Sequence, residues 1–199
     1  MLTTLRKNIQ IGAWHRRGRP MPAPHALKER VVREYAARYS LRILIETGTY
    51  YGEMVEAQRR YFDSIYSIEL GSELYKRAKE RFRGYPRITI LQGDSGHVLP
   101  ELLKRINEPA LFWLDAHYSS GVTVRGNKET PLLEELHAVL SHLIAGHVIL
   151  IDDARSLGTG DYPSAEAIKG MARALTFEMR DDIIRLTSQA RRLAPSFAA

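Results

Sequence analysis

Five short apolar runs, each ending in or beside an acid, recur along this chain with amphipathic stretches between them. The runs are "LRILIE" from Leu41, "SIYSIEL" from Ser64, "RITILQGD" from Arg87, "ALFWLDA" from Ala110 and "HVILIDDA" from His147. Between them stand "GEMVEAQRRYF", "SELYKRAKERF", "HVLPELLKRI" and "TPLLEELHAVLSHL", whose apolar residues follow helical spacing. Strand and helix alternating in this way predict an α/β fold with a doubly wound parallel sheet, helices covering both faces.

The flanks complete the pattern. After Pro20, Pro22 and Pro24, "HALKERVVREYAARYS" predicts a leading helix, and "YPSAEAIKGMARAL" a late one. "TFEMRDDIIRLTS" reads as two short strands turning at Asp181 and Asp182, or as one continuous strand. With the turn, the sheet has seven strands and its last pair is antiparallel. Ser72 is placed to cap one helix, and Thr130 followed by Pro131 to start another.

A chain of 199 residues, 44% hydrophobic and 26% charged, has enough apolar content for one soluble domain. No apolar run approaches the roughly 18 residues of a membrane span, and the N-terminus lacks the features of a secretory signal, so a cytoplasmic protein is expected. Zero cysteines exclude disulfides, thiolate metal sites and cysteine nucleophiles. Ten of the 29 Lys/Arg but only two of the 23 Asp/Glu fall between Met1 and Arg42. This divides the chain into a basic arm with its leading helix, residues 1–40, and a main domain, residues 41–199. Arg16, Arg17 and Arg19 could touch phosphates, or the arm could simply pack over the domain; no interleaved aromatics mark a nucleic-acid platform.

In an open α/β sheet, ligands bind beyond the carboxyl ends of the strands. Glu46, Glu69, Asp94, Asp115, Asp152 and Asp153 all fall there. Gly48 and Gly52 let the first strand turn tightly and bring a helix N-terminus toward a ligand. Glu69 follows Gly52 by 17 residues, near the spacing at which an acid receives ribose hydroxyls, so the ligand reads as a nucleoside. Tyr50 stands where a dinucleotide site would have its middle glycine.

With "SIEL" and "LQGDS" at their spacings, the stretch from Leu41 to Arg155 resembles the class I S-adenosylmethionine-dependent methyltransferases and implies their Rossmann-like fold. The resemblance assigns the methionine part of the cofactor to Glu46, Thr47 and the Gly48 to Gly52 turn, the ribose to Glu69, and the adenine side to Gly93, Asp94 and Ser95. Tyr50 departs from the pattern, and Tyr50 or Tyr51 could instead wall the pocket. "WLDAHYS" and "ILIDDAR" are similar to the metal-dependent O-methyltransferases of the catechol and macrocin types. That similarity implies a magnesium ion, or another hard divalent cation, on Asp115, Asp152 and Asp153, with Asp115 also beside the cofactor; a cation would relieve three converging carboxylates. The other reading has one of these aspartates capping a helix or pairing with an arginine such as Arg155.

His117 is the expected general base, with Asp115 its catalytic companion, although the catechol-type lysine position holds Tyr118 and a metal-related or structural role for His117 stays open. The segment "YSSGVTVRGNKE", with Arg125 and Lys128, reads as an acceptor loop or a solvated one. The function expected is methyl transfer to oxygen of a small molecule such as a sugar, polyol or phenol. Alternatives are an RNA or protein methyltransferase using the basic arm, or a nucleoside-binding module without catalysis; nucleic acid is not favoured as a partner, and a homo-oligomer is compatible with the sequence.

Overall fold

The computed structural model describes residues 2–115 and 130–188. Its elements are α1 Leu2–Arg16, α2 His25–Tyr39, β1 Ile43–Thr47, α3 Glu53–Gln58, β2 Ser64–Glu69, α4 Ser72–Arg81, β3 Ile88–Gln92, α5 Ser95–Leu103, β4 Ala110–Leu114, α6 Leu132–Leu140, β5 Val148–Ile151, a single 3-10 turn Ala154–Ser156, α7 Ala165–Met171, β6 Leu175–Arg180 and β7 Ile183–Ser188. The sheet order is β3-β2-β1-β4-β5-β7-β6. β1 to β5 run parallel, and β7 is antiparallel to both β5 and β6. This is the seven-stranded, doubly wound sheet that the alternating runs predict. Asp181 and Asp182 both adopt positive φ, 53° and 62°, which is the backbone of a two-residue hairpin turn and decides between the two readings of that segment.

Burial splits along the period of two in the strands. Leu44, Ile65, Leu111, Trp113, Val148 and Leu150 face one layer, with Ile11 and Trp14 of α1, α2, Met54 and Val55 of α3, and Phe82 at the end of α4. Ile45, Phe112, Leu114, Ile149 and Ile151 face the other, with α5, α6 and α7. The direction of each strand-tip side chain follows from this alternation. Glu46, Glu69, Asp115 and Asp152 each lie at an even step from a residue of the first layer and so share the face covered by α2 and α3, whereas Thr47 belongs to the face of α5 and α6.

The N-terminal segment is a helix, where only a basic arm is expected from its charge. Its apolar periodicity is weak because it buries few side chains, chiefly Ile11 and Trp14, and leaves Leu5 and Ile9 exposed. Trp14 also donates its indole N–H to the Pro20 carbonyl at 2.7 Å. Lys7 pairs with the buried Glu29 of α2, and Gln58 of α3 donates to the Glu29 backbone carbonyl at 3.0 Å, so α1, α2 and α3 are joined through one residue. Truncating a buried tryptophan such as Trp14 to alanine costs roughly 3–5 kcal/mol.

Candidate functional site

The strand order reverses between β1 and β4, the switch point beyond whose carboxyl ends open α/β sheets place their ligands. The ladder continues one residue past both strands. Asp115 donates its N–H to the Thr47 carbonyl at 3.2 Å, and Asp152 donates to the Leu114 carbonyl at 3.0 Å. Gly48, Asp115 and Asp152 therefore start neighbouring loops.

On the β2 side the turn after β1 is bound to the tip of β2. Gly48 and Thr49 donate to the Ile68 carbonyl at 2.9 and 3.3 Å, and the Thr49 and Ser67 hydroxyls lie 2.6 Å apart. Glu69 accepts the Tyr50 N–H and the Gly71 N–H, both at 2.8 Å. Two donors on a carboxylate leave lone pairs for a diol. Burial pushes its pKa up, and those backbone N–H groups pull it back.

Tyr50 takes the left-handed backbone, φ 51°, that its Gly-like position demands, and its ring packs 4.1 Å from that of Tyr51. Gly52 has no such latitude: at φ 76° an added Cβ would lie 2.6 Å from Phe82 Cε2. Gly93, at φ 137°, has the same restriction against Val98. Ser72 does not cap α4. The capping position is Gly71, which has no side chain to cap with and gives its own N–H to Glu69. Asp94 caps α5, accepting from Gly96 N–H at 2.9 Å.

Glu46 lies beneath this turn, 2% exposed, with the Ser67 hydroxyl donating to its carboxylate at 2.5 Å. Burial, with the charges of Asp115 and Glu69 nearby, pushes its pKa up to about 8. Without a cationic partner it is protonated at neutral pH, since isolated buried charge is costly.

The β5 side departs from the metal-site expectation. Among the described residues no group of three or more His, Asp or Glu is arranged to hold a metal ion. Asp152 is bonded by the ammonium of Lys28, which reaches down from α2, and Asp153 Oδ1 lies 3.7 Å from the same nitrogen. Asp153 is drawn aside by Arg155, whose guanidinium donates to it at 2.7 Å and also binds Asp182 in the β6–β7 turn. The residues present thus do not fit the expected magnesium: an ammonium and a guanidinium already neutralise two of the three carboxylates. Burial tends to lower the Lys28 pKa, and Asp152, Asp115 and Asp153 more than offset it, so the group is held charged. Asp115 also takes the Trp113 indole N–H at 3.4 Å.

Other groups sequence reasoning missed surround these. His25, in the first turn of α2, lies 3.5 Å from Glu29 and close enough to Glu53 and Asp115 to feel both charges; burial lowers its pKa. Tyr162 is held protonated by burial and by the charges of Asp153, Asp115 and Asp152. On the opposite face, Glu135 of α6 is 1% exposed and reaches Ser95 and Thr47; burial pushes its pKa up to about 7. Both Lys28 and Glu135 were legible: Lys28, Val31, Val32 and Tyr35 form one helical stripe, as do Leu132, Glu135, Leu136 and Val139, and a charge within an apolar stripe is carried into the interior.

His117, Tyr118, Arg125 and Lys128 lie outside the described residues. His142 and His147 are structural partners. His147 accepts the Ala110 N–H at 3.0 Å and meets His142 at 2.8 Å, and burial with the His142 charge lowers its pKa to about 4. An apolar cavity of about 870 Å³ between α5 and α6, lined by Pro100, Leu103, Leu133 and His137 among others, contains none of the strand-tip acids assigned to the cofactor or metal.

No family model and no curated protein matches the chain. Solved structures do match in fold. The O-methyltransferase TomG from Streptomyces achromogenes, involved in tomaymycin synthesis and solved with S-adenosylmethionine, superposes with a TM-score of 0.59 at 15% identity, over 92% of this chain and 89% of its own. An O-methyltransferase from Bacillus cereus, solved with the demethylated cofactor, gives 0.60 at 14% identity, over 94% and 91%. The 23S rRNA methyltransferase ErmE gives 0.51 at 19% identity, over 83% and 70%. The chain has the Rossmann-like fold of the class I S-adenosylmethionine-dependent methyltransferases.

Proposed function

We propose that this chain is an S-adenosylmethionine-dependent methyltransferase acting on an oxygen of a small-molecule acceptor. The observation that carries the reading is Glu69, an acid at the tip of β2 whose two backbone donors fix it beside the Gly48 to Gly52 turn. A ribose diol needs an acceptor of this kind in this place. When bound, the cofactor would supply a methyl group activated on a sulfonium sulfur for transfer to the acceptor oxygen.

The chain's own groups take the remaining roles. Glu46 and Thr47 receive the methionine end, where the buried acid suits an ammonium. Gly93, Asp94 and Ser95 bound the adenine side, and Tyr50 and Tyr51 wall the pocket. Asp115 lies at the switch point between cofactor and acceptor, and His117, two residues on, takes the acceptor's proton. Holding the two reactants in line accounts for much of the acceleration such a site can give.

Two features support a small acceptor. The fold is shared with several O-methyltransferases. The basic arm also spends part of its charge internally, with Lys7 on Glu29 and Arg19 at 3.3 Å from Asp181. No described helix is long and apolar enough to cross a membrane. Asp152 and Asp153 are neutralised by Lys28 and Arg155 and need no magnesium in this reading.

The test is calorimetric titration of S-adenosylmethionine and S-adenosylhomocysteine into the folded chain, with thermal unfolding alongside, since a ligand selective for the native state raises Tm by mass action. Binding in the micromolar range is expected. No binding of either at millimolar concentration removes the cofactor assignment.

A further inference from the structure

We infer that Lys28 takes the place a divalent cation would hold among Asp115, Asp152 and Asp153, so that the acceptor oxygen is received by an ammonium carried on α2. The assignment of an acceptor rests on the methyltransferase reading; the place of the cation does not. Three strand-tip carboxylates at neighbouring positions create a local demand for positive charge. A divalent ion meets that demand with oxygen ligands; this chain meets it with a side chain. Lys28 binds Asp152 and stands 3.7 Å from Asp153, and Asp115 follows β4 as Asp152 follows the neighbouring β5.

An ammonium has three hydrogens. Asp152 takes one, and Asp153 is beyond hydrogen-bonding distance, which leaves donor capacity for an oxygen in the cleft. The side chain is 14% exposed, so the charge is largely desolvated without being sealed from a ligand. The helix that carries it is fixed independently. Ala26, Leu27, Val31 and Val32 are buried in the first core layer, and Glu29 ties α2 to both α1 and α3. His25, one turn earlier on α2, feels the charge of Asp115, and Tyr162, in the loop before α7, feels the charges of all three carboxylates. A lysine so placed can orient and polarise a hydroxyl as a point charge, though it lacks the Lewis-acid strength of a divalent metal.

The proposal is tested by Mn²⁺ binding, followed by electron paramagnetic resonance, on the full chain and on Lys28→Ala, Lys28→Gln and Lys28→Arg. The wild type and Lys28→Arg should bind Mn²⁺ no more tightly than millimolar. Lys28→Ala and Lys28→Gln should gain at least tenfold, because the carboxylates lose their cation and acquire room for another. A merely structural lysine would not create a metal site on removal. Micromolar binding to the wild type overturns the proposal even if no variant folds, and so does an affinity that folded Lys28→Ala and Lys28→Gln leave unchanged. S-adenosylhomocysteine titration on the same samples separates the two readings: absent binding defeats the methyltransferase assignment, while the Mn²⁺ result still decides the role of Lys28.

Discussion

Glu69 at the end of β2 accepts the backbone N–H of Tyr50, in the turn after β1, at 2.8 Å. The acid that should meet the ribose therefore also fixes the turn that should approach the cofactor. Substituting it removes a ligand contact and an anchor together.

Glu69→Ala should lower S-adenosylhomocysteine affinity by about 10- to 200-fold, the equivalent of losing charge-assisted hydrogen bonds worth roughly 1.5–3 kcal/mol. Calorimetry on a variant with a native circular dichroism spectrum measures this. Unchanged affinity would place the ribose elsewhere.

Gly52→Ala tests the turn itself. Its new Cβ would stand 2.6 Å from the Phe82 ring on a backbone at φ 76°, so the ring or the turn must shift. A loss of about 1–3 kcal/mol of stability is expected, by strain and overpacking, with weaker cofactor binding. Urea unfolding of wild type and variant checks it; a loss under about 0.5 kcal/mol would show that the turn relaxes freely.

How far the sequence could be read depended on whether a residue's role is local. The strands, their order of helices and the acids at their tips followed from periodicity, and Asp181 with Asp182 carried the turn chemistry of a hairpin. The carboxylates' counter-charges were not local: Lys28 precedes Asp152 by 124 residues, and its arrival depends on how α2 lies across the sheet. The adjacent pair Asp152 and Asp153 looked like one motif, yet the chain turns into the left-handed region at Asp153, φ 55°, and sends the two side chains to different partners. The helical stripes containing Lys28 and Glu135 were visible in the sequence, since each charge stands at the spacing of its helix's buried apolar residues.

Proton linkage provides a test of Glu46. Burial raises its pKa to about 8 in the free protein, so at pH 7 it carries a proton. If the cofactor's ammonium docks on it, binding should ionise it and release up to one proton, and affinity should rise with pH between about 6 and 8. Titrations at pH 7 in buffers of different ionisation enthalpy measure the release. Zero release in wild type, or the same release in Glu46→Gln, would exclude Glu46 as the group responsible.

The same group gives the ligand-free fold a pH dependence with a definite sign. Glu46, at about 8, and Glu135, at about 7, keep protons that the unfolded chain has already lost above its ordinary carboxyl range. The folded state binds more protons, so their contribution to stability falls as pH rises through this window, by at most about 1.4 kcal/mol per pH unit for each fully protonated group. Between pH 6.5 and 8 this is separated from His147, whose pKa of about 4 lowers stability only as pH falls below the unfolded histidine range. Urea unfolding across pH 6.5–8 should show the decline, and Glu46→Gln should flatten it; a stability that rises over this interval in wild type would contradict the raised pKa values.

The two adjacent aspartates should separate by function. Asp182 accepts Arg155 and, through it, fixes Asp153, so Asp182→Ala should release the β6–β7 turn from the β5 tip. With Asp182 buried and Arg155 partly exposed, a cost of about 1–3 kcal/mol is expected, or roughly 2–12 °C in Tm for a chain of this size. Cofactor affinity should stay within twofold, because the cofactor-side bonds run from β1 to β2. Asp152→Asn keeps an oxygen for Lys28 but removes its charge, and the ammonium then lacks its nearest counter-ion. That change should leave S-adenosylhomocysteine binding within threefold while reducing methyl transfer at least tenfold with any acceptor the wild type accepts, since the displaced charge is the one that meets the acceptor oxygen. If Asp182→Ala instead reduces cofactor affinity and Asp152→Asn does not reduce turnover, the division between a clamp at Asp153 and a reactive site at Asp152 is wrong.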